Sequence, residues 1–368
     1  MQYDAITLDT NIFVADGLRL ESGILAQMSQ FKSRSEKIIL SEVVLREVTQ
    51  KLQERAGEAR RDLKKALRAA STSGIIDSGK ADDLQKLYDL ALPEGDAAEA
   101  RIKQFQQATG FETITSRDVE VSDLVDMYFG LKPPFEKSEA KKAEFPDAIA
   151  LISINEWAKA HGLKVLAISL DEGWKRYAEG SEFLDVEGDL SRALATFQEH
   201  TERAQKFLEE LLQALARNEQ PEMMGQIVDE LADDVGALSP YPEAVTPFEC
   251  DIDQVDLAFT DFTFNSDEVI LVNVGREEIV AKVGIEVEAR AEASYSLSIR
   301  DSIDNDYVSI GGGSVDVPVK FKASALLTLI GPFGERPEEV EIDRIELVDA
   351  PRYINLGVID IFEAEYEE

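Results

Sequence analysis

Four acidic residues separated by long stretches of chain, Asp9, Glu47, Asp147 and Asp171, stand where their carboxylates can meet. Asp9 follows the short apolar and β-branched run YDAITL (3–8), and Asp171 follows LKVLAIS (163–169). Each is expected just past the end of a strand. Glu47 falls in the second turn of a helix that Ser41 is placed to cap, and Asp147 sits at the start of a helix opening on Pro146. In an open parallel sheet the reactive groups gather beyond the carboxyl ends of the strands, so all four acids can point into one crevice. Carboxylates packed without counter-charge repel, and some must stay protonated or bind cations. One or two divalent ions solve that problem, and such a site suits phosphodiester hydrolysis, because a bound ion makes water a usable nucleophile near neutral pH. Covalent catalysis would need a nucleophile and a histidine base, and the only histidines are His161 and His200. Taken singly, each acid has a plain structural reading: Asp9 as a turn former, Asp147 as a first-turn acid, Glu47 as a solvated helix residue like its neighbour Glu42, Asp171 as a loop acid. Their joint order carries the argument.

Composition narrows the ion. Cys250 is the only cysteine, which excludes a disulfide within the chain and a cysteine-based zinc site. Oxygen donors point to Mg²⁺ or Mn²⁺. The net charge of −35 looks wrong for a protein that handles phosphates, but it is unevenly spread. Residues 1–200 hold 26 Lys+Arg against 35 Asp+Glu, a balance of −9, and residues 201–368 hold 12 against 38, a balance of −26. An acidic surface by itself mainly keeps a protein soluble. No segment approaches the run of about 18 apolar residues that would span a bilayer. The start, MQYDAITLDTNIF, has no basic stretch ahead of an apolar one, and a cytoplasmic location is expected.

The elements that must position these residues alternate. Strands are predicted at 3–8, 38–40, 111–115, 163–169 and 183–186, with helices between them, which implies an α/β fold with a parallel sheet covered on both faces. The helix from Ser41 has Val44, Leu45, Val48 and Leu52 on one face, and its distal part is basic. A further helical piece over 81–109 is broken by Pro93. From 188 to about 238 the pattern is helical, with Phe207, Leu208, Leu211, Leu212 and Leu215 in one stripe, and SPYPEAVTP (239–247) breaks it. Beyond that the period is two: Ile279 to Ile299 and Val315 to Leu329 alternate with polar neighbours across a predicted loop holding Gly311, Gly312 and Gly313. With flanking strands near 255–264, 268–274, 341–348 and 353–363, a mainly antiparallel β-sandwich or open barrel is expected. The domains expected are 1–200, a helical connector over 201–240, and a β-rich accessory domain over 241–368.

LDTNIF (8–13), SEVVLREV (41–48), EFPDAIAL (144–151) and LAISLDEGW (166–174) resemble the successive motifs of PIN domains, particularly the larger bacterial branch with an FPDA signature. The resemblance covers residues 1 to about 195. It implies a PIN-like parallel sheet flanked by helices and a Mg²⁺- or Mn²⁺-dependent endonuclease, usually acting on RNA. Asp9, Glu47, Asp147 and Asp171 would be the metal-binding acids, supported by Asn11 and Ser169. Many PIN domains place another acid at the position that here is Gly173, and Glu172 beside it would compensate only if turned inward. The distance in sequence from Glu47 to Asp147 implies a helical insertion near 51–110. Family likeness also suggests a toxin or defence role.

Other features are weighed beside these. Lys141 and Lys142, just ahead of Asp147, are expected as phosphate contacts. The basic helix, with Arg46, Lys51, Arg55, Arg60, Arg61, Lys64, Lys65 and Arg68, reads equally as an arm for a nucleic-acid backbone and as a solvated helix laced with ion pairs. Trp157 and Trp174 are expected in the interior, and Cys250 as a small buried hydrophobe. The rival to a nuclease is a degenerate relative that serves as a binding or regulatory module, with its acidic β half docking a protein partner or another copy.

Overall fold

The computed structural model describes residues 3–76, 80, 83–84, 86, 92–117, 119–135, 144–198, 201–300, 307–333 and 340–359. The chain divides into two compact units, Met1–Phe197 and Gln198–Glu368.

The first unit is built on five strands, β1 (Ala5–Leu8), β2 (Lys37–Ser41), β3 (Glu112–Ile114), β4 (Val165–Ile168) and β5 (Leu184–Glu187), in the order β3-β2-β1-β4-β5. Every pairing is parallel. β1 and β4 are buried at every position, as expected for strands covered on both faces. The helices are α1 (Thr10–Ala15), α2 (Gly23–Ala26), α3 (Glu42–Thr72), α4 (Glu94–Thr109), α5 (Val121–Gly130), α6 (Phe145–His161), α7 (Glu172–Ala178) and α8 (Leu190–Thr196). The predicted cap is present: the Ser41 side chain accepts from the Val43 N–H at 3.2 Å and starts α3. On α3 only Val44, Val48 and Leu52 are buried, so its last five turns leave the core. α4 begins just after Pro93 and is tied to α3 by an Arg60–Glu94 ion pair of 3.3 Å.

In the second unit, α9 (Thr201–Ala216) and α10 (Pro221–Gly236) share one hydrophobic core with an antiparallel sheet. That sheet is formed by β7 (Glu249–Ile252), β8 (Asp256–Val274), β9 (Glu278–Arg300), β10 (Tyr307–Ile330) and β11 (Glu341–Val348). Residues 201–240, read from sequence as a connector, thus contribute Phe207, Leu208, Leu211, Leu212, Leu215, Ile227, Leu231 and Val235 to this core. The alternating residues of β9 from Ile279 to Ala293 face them. Two local expectations change. Gly311, Gly312 and Gly313 lie inside β10, opposite Leu297, Ser296 and Tyr295, and not in a loop. The ladder shifts register there, and a Cβ on Gly312 would stand 2.5 Å from the Tyr295 carbonyl oxygen, so glycine marks an irregularity in the strand and not its end. The proline-rich segment does end the helical pattern, as α10 stops at Gly236, but it also holds a strand: Tyr241–Val245 forms β6, paired in parallel with β12 (Tyr353–Val358) in a two-stranded sheet where Pro242 needs no second neighbour.

Leu208 is fully buried in this core. Leu208→Ala should lower stability by about 2–5 kcal/mol, read as a fall in the denaturant midpoint at unchanged slope. An unchanged midpoint would contradict the packing described.

Candidate metal centre

β1 and β4 are neighbours at the centre of the sheet, so the residues that leave their carboxyl ends emerge side by side. Asp9 is the first residue after β1, and its backbone N–H still donates to the Ile168 carbonyl at 2.9 Å, extending the ladder by one bond. Its side chain is buried, 5% exposed, and one carboxylate oxygen accepts from the Ser169 hydroxyl at 2.6 Å and from the Asn11 side-chain amide. Ser169 is itself fully buried and in turn accepts from the Asp171 N–H at 3.0 Å. Asn11 closes the arrangement by accepting from the Leu170 N–H at 3.2 Å. A serine and an asparagine thereby lock the ends of two adjacent strands around one carboxylate.

The other three acids come from helix starts. Asp171 caps α7, its carboxylate accepting from the N–H groups of Gly173 and Trp174. Asp147 lies in the first turn of α6 and accepts from the indole N–H of Trp174 at 2.9 Å. Glu47 on α3 accepts from the Thr10 hydroxyl at 2.6 Å. Thr10 and Trp174 are contributors that the sequence reading did not single out for this purpose. Thr10 sits inside the LDTN motif next to Asp9, and Trp174, fully buried as expected, follows Asp171 by three residues.

Within this group of four acids, Asp9 and Asp147 titrate above the ordinary carboxylate range. Burial pushes the Asp9 carboxyl up to about 7, against the Ser169 hydrogen bond that favours the charged form, and the charges of Asp147 and Asp171 push it further. Asp147 is raised too, first by burial and then by the charges of Asp171 and Glu47, with the Trp174 N–H acting in the opposite sense. Among the described residues none of the four forms an ion pair with Lys, Arg or His. The donors are all oxygen and the local deficit is of positive charge, which fits a hard divalent cation. Among the described residues no three acidic, histidine or cysteine side chains are already gathered at ligand spacing. The carboxylates form an open cluster whose members hydrogen-bond to their own supports.

Glu172 does not turn inward: its side chain is 72% exposed and pairs with Lys175 at 2.6 Å. Gly173 has no room for an acid, because a Cβ there would stand 2.7 Å from Asp171 Oδ1 and 3.0 Å from the Pro134 side chain. Lys141 and Lys142 lie outside the described residues. Glu42, next to the cluster in sequence, stays out of it and accepts from both the N–H and the hydroxyl of Ser116. His161 is exposed and bonds to the Trp157 carbonyl, away from these acids.

A family model for the PIN domain matches residues 6–174, a span that contains all four acids and their supports. No curated protein and no solved structure matches the chain.

Folded Asp9 titrates near 7, whereas an unfolded aspartate titrates near 3.8. The unfolded chain therefore loses this proton first, and the stability carried by neutral Asp9 is fully present below about 3.8 and lost as pH rises through about 7. In chelator-containing buffer, Asp9→Asn should gain stability over the wild type as pH rises from 4 to 7 and level off above that, reaching on the order of 3–4 kcal/mol. A difference between the two proteins that does not vary with pH in thermal unfolding would contradict the burial of this charge.

Proposed function

With its N-terminal half a PIN domain, of a family that generally comprises metal-using nucleases, we propose that this protein hydrolyses phosphodiester bonds in RNA, with Mg²⁺ or Mn²⁺ held by Asp9, Glu47, Asp147 and Asp171. The observation that carries this reading is the placement of four carboxylates without a cationic partner among the described residues: Asp9 and Asp171 follow the neighbouring strands β1 and β4, and Asp147 and Glu47 are held on helices by Trp174 and Thr10. A bound divalent ion supplies Lewis acidity, which activates water and offsets charge developing on the phosphate oxygens. Everything else falls to the chain. Asp9 and Asp171, fixed through Ser169, present oxygens from neighbouring strand ends. Asp147 and Glu47 present theirs from helices, oriented by Trp174 and Thr10. Such outer supports set the direction of a ligand's lone pairs, and their loss weakens metal affinity or activity about 10–100-fold. Lys141 and Lys142 are proposed as phosphate contacts, and Glu172, engaged with Lys175, has no part in the cluster.

A second reading has its own support. Gly173 leaves the cluster without the further acid of the fullest PIN domains, which favours a protein that binds nucleic acid without cutting it.

Cleavage of labelled single-stranded RNA and DNA, with and without Mn²⁺, separates the two. The nuclease reading expects Mn²⁺-dependent cutting of RNA, loss of cutting in Asp147→Asn by about 100-fold or more, a fall of about 10–100-fold in Ser169→Ala, and wild-type rates in Glu172→Gln. RNA that is bound but left intact by the wild type, with Mn²⁺ present, would overturn the nuclease reading in favour of the binding module.

A further inference from the structure

The distal part of α3 has no role in the core. Past Leu52 none of its residues is buried, yet the helix continues for twenty more residues to Thr72. The segment is rich in alanine, lysine and arginine, which favour helix with little help from packing. On it, Arg61, Lys64, Lys65 and Arg68 occupy positions i, i+3, i+4 and i+7, the spacing of a single helical face, and all four are exposed. Lys65 has a partner in Asp62 at 3.4 Å, with both side chains well exposed, a pairing worth little in water. Arg61, Lys64 and Arg68 form no ion pair among the described residues. Arg60, on the flank of this face, is engaged with Glu94.

This is a local reversal of charge. Residues 60–76 carry five bases and one acid in a chain of net charge −35. At physiological ionic strength charges are screened beyond about 8 Å, so only acids within that distance can cancel a compact basic face. Lys65 lies 18 residues after Glu47, five full turns at 3.6 residues per turn, so the basic face continues the side of the helix from which Glu47 joins the carboxylate cluster. At about 1.5 Å per residue the face stands roughly 20–30 Å along the helix from Glu47.

We propose that Arg61, Lys64, Lys65 and Arg68 form a backbone-binding arm that grips the phosphates of an RNA strand at a distance from the cleaved bond. This rests on the nuclease reading above and extends its substrate from a short segment to a strand long enough to span both places. At about 3.4 Å per stacked nucleotide, that span is roughly 6–9 nucleotides. Contacts of this kind position the strand and carry no sequence information. The same face would also attract the acidic half of a second copy of this chain, and the experiment must tell that occupant apart.

The test is equilibrium binding of fluorescent RNA in metal-free buffer, where no cleavage occurs, by anisotropy over a range of salt concentrations. The proteins are the full-length wild type, the quadruple variant Arg61→Gln, Lys64→Gln, Lys65→Gln and Arg68→Gln, and Asp147→Asn. Thermal unfolding shows whether the variant is folded, and because all four sites are exposed its midpoint should match the wild type. Wild-type affinity should rise as RNA is lengthened from 4 to about 12 nucleotides, and the quadruple variant should lose that rise. Its slope of log affinity against log salt should be shallower by about 3, near 0.7 for each phosphate contact removed from a single strand. Asp147→Asn should keep the full slope. Equal affinity, length dependence and salt slope in wild type and quadruple variant would overturn the arm, whether or not the protein cleaves RNA. A salt-sensitive dimer in sedimentation that the substitutions abolish, with RNA binding unaltered, would overturn it in favour of self-association. Failure of the wild type to cut RNA with Mn²⁺ bears on the nuclease reading alone, since the binding measurement contains no metal.

Discussion

Like charges held together at the end of a parallel sheet are the constraint around which the first unit is arranged. β1 and β4 run side by side in one direction, so Asp9 and Asp171 leave the sheet as neighbours and cannot avoid each other. The fold meets the repulsion with neutral donors in place of cations: a serine hydroxyl, an asparagine amide, a threonine hydroxyl, an indole N–H and two backbone N–H groups. Each donor eases one carboxylate without neutralising the group. A lysine or arginine among them would have neutralised the group at the cost of burying a further charge. At Asp9 burial is the main reason that the carboxyl is pushed up to about 7, and the charges of Asp147 and Asp171 raise it further. A site that keeps its charge uncompensated in the folded protein would gain most from the divalent ion proposed for it.

Much of this was legible in the sequence because the relevant signals are local. Four-residue apolar strands, Ser41 as a cap and Pro146 at a helix start each determine their own surroundings, and the positions of Asp9, Glu47, Asp147 and Asp171 relative to those elements follow. Trp174 was read as an interior ring, which it is, but its N–H also faces Asp147, and only the packing of α6 against α7 makes that contact. The sequence does not decide Glu172, because a residue at the first turn of a short helix can face either way, and Lys175 one turn on settles it. In the second unit the period-two alternation marked β9 and β10, whereas the glycines of β10 misled. Three consecutive glycines commonly make a loop, and here Gly312 and Gly313 let a strand pass the carbonyl and the ring of Tyr295, a requirement set by a neighbour on the adjacent strand. The apolar stripe of α9 was visible, but its partner, the face of a sheet later in the chain, was not.

The charge distribution follows the same logic of separation. The bulk of the acidity lies after residue 200, the basic residues of α3 are concentrated beyond its last buried turn, and the carboxylate cluster lies on the sheet. Charges more than about 8 Å apart are largely screened from one another at physiological ionic strength. A strongly acidic chain can therefore still present a cationic face to an anionic polymer, and its overall charge is a poor guide to what it binds.

The central claim, that Asp9, Glu47, Asp147 and Asp171 together receive a hard cation, is tested most directly by calorimetric titration of the metal-free protein with Mn²⁺ at pH 7 in two buffers of different ionisation enthalpy. The account predicts saturable binding with proton release, because the ion displaces the proton that Asp9 retains near neutral pH, and loss of both the binding and the buffer dependence in Asp9→Asn. Absence of saturable heat from the wild type, or binding that survives Asp9→Asn undiminished, would contradict it.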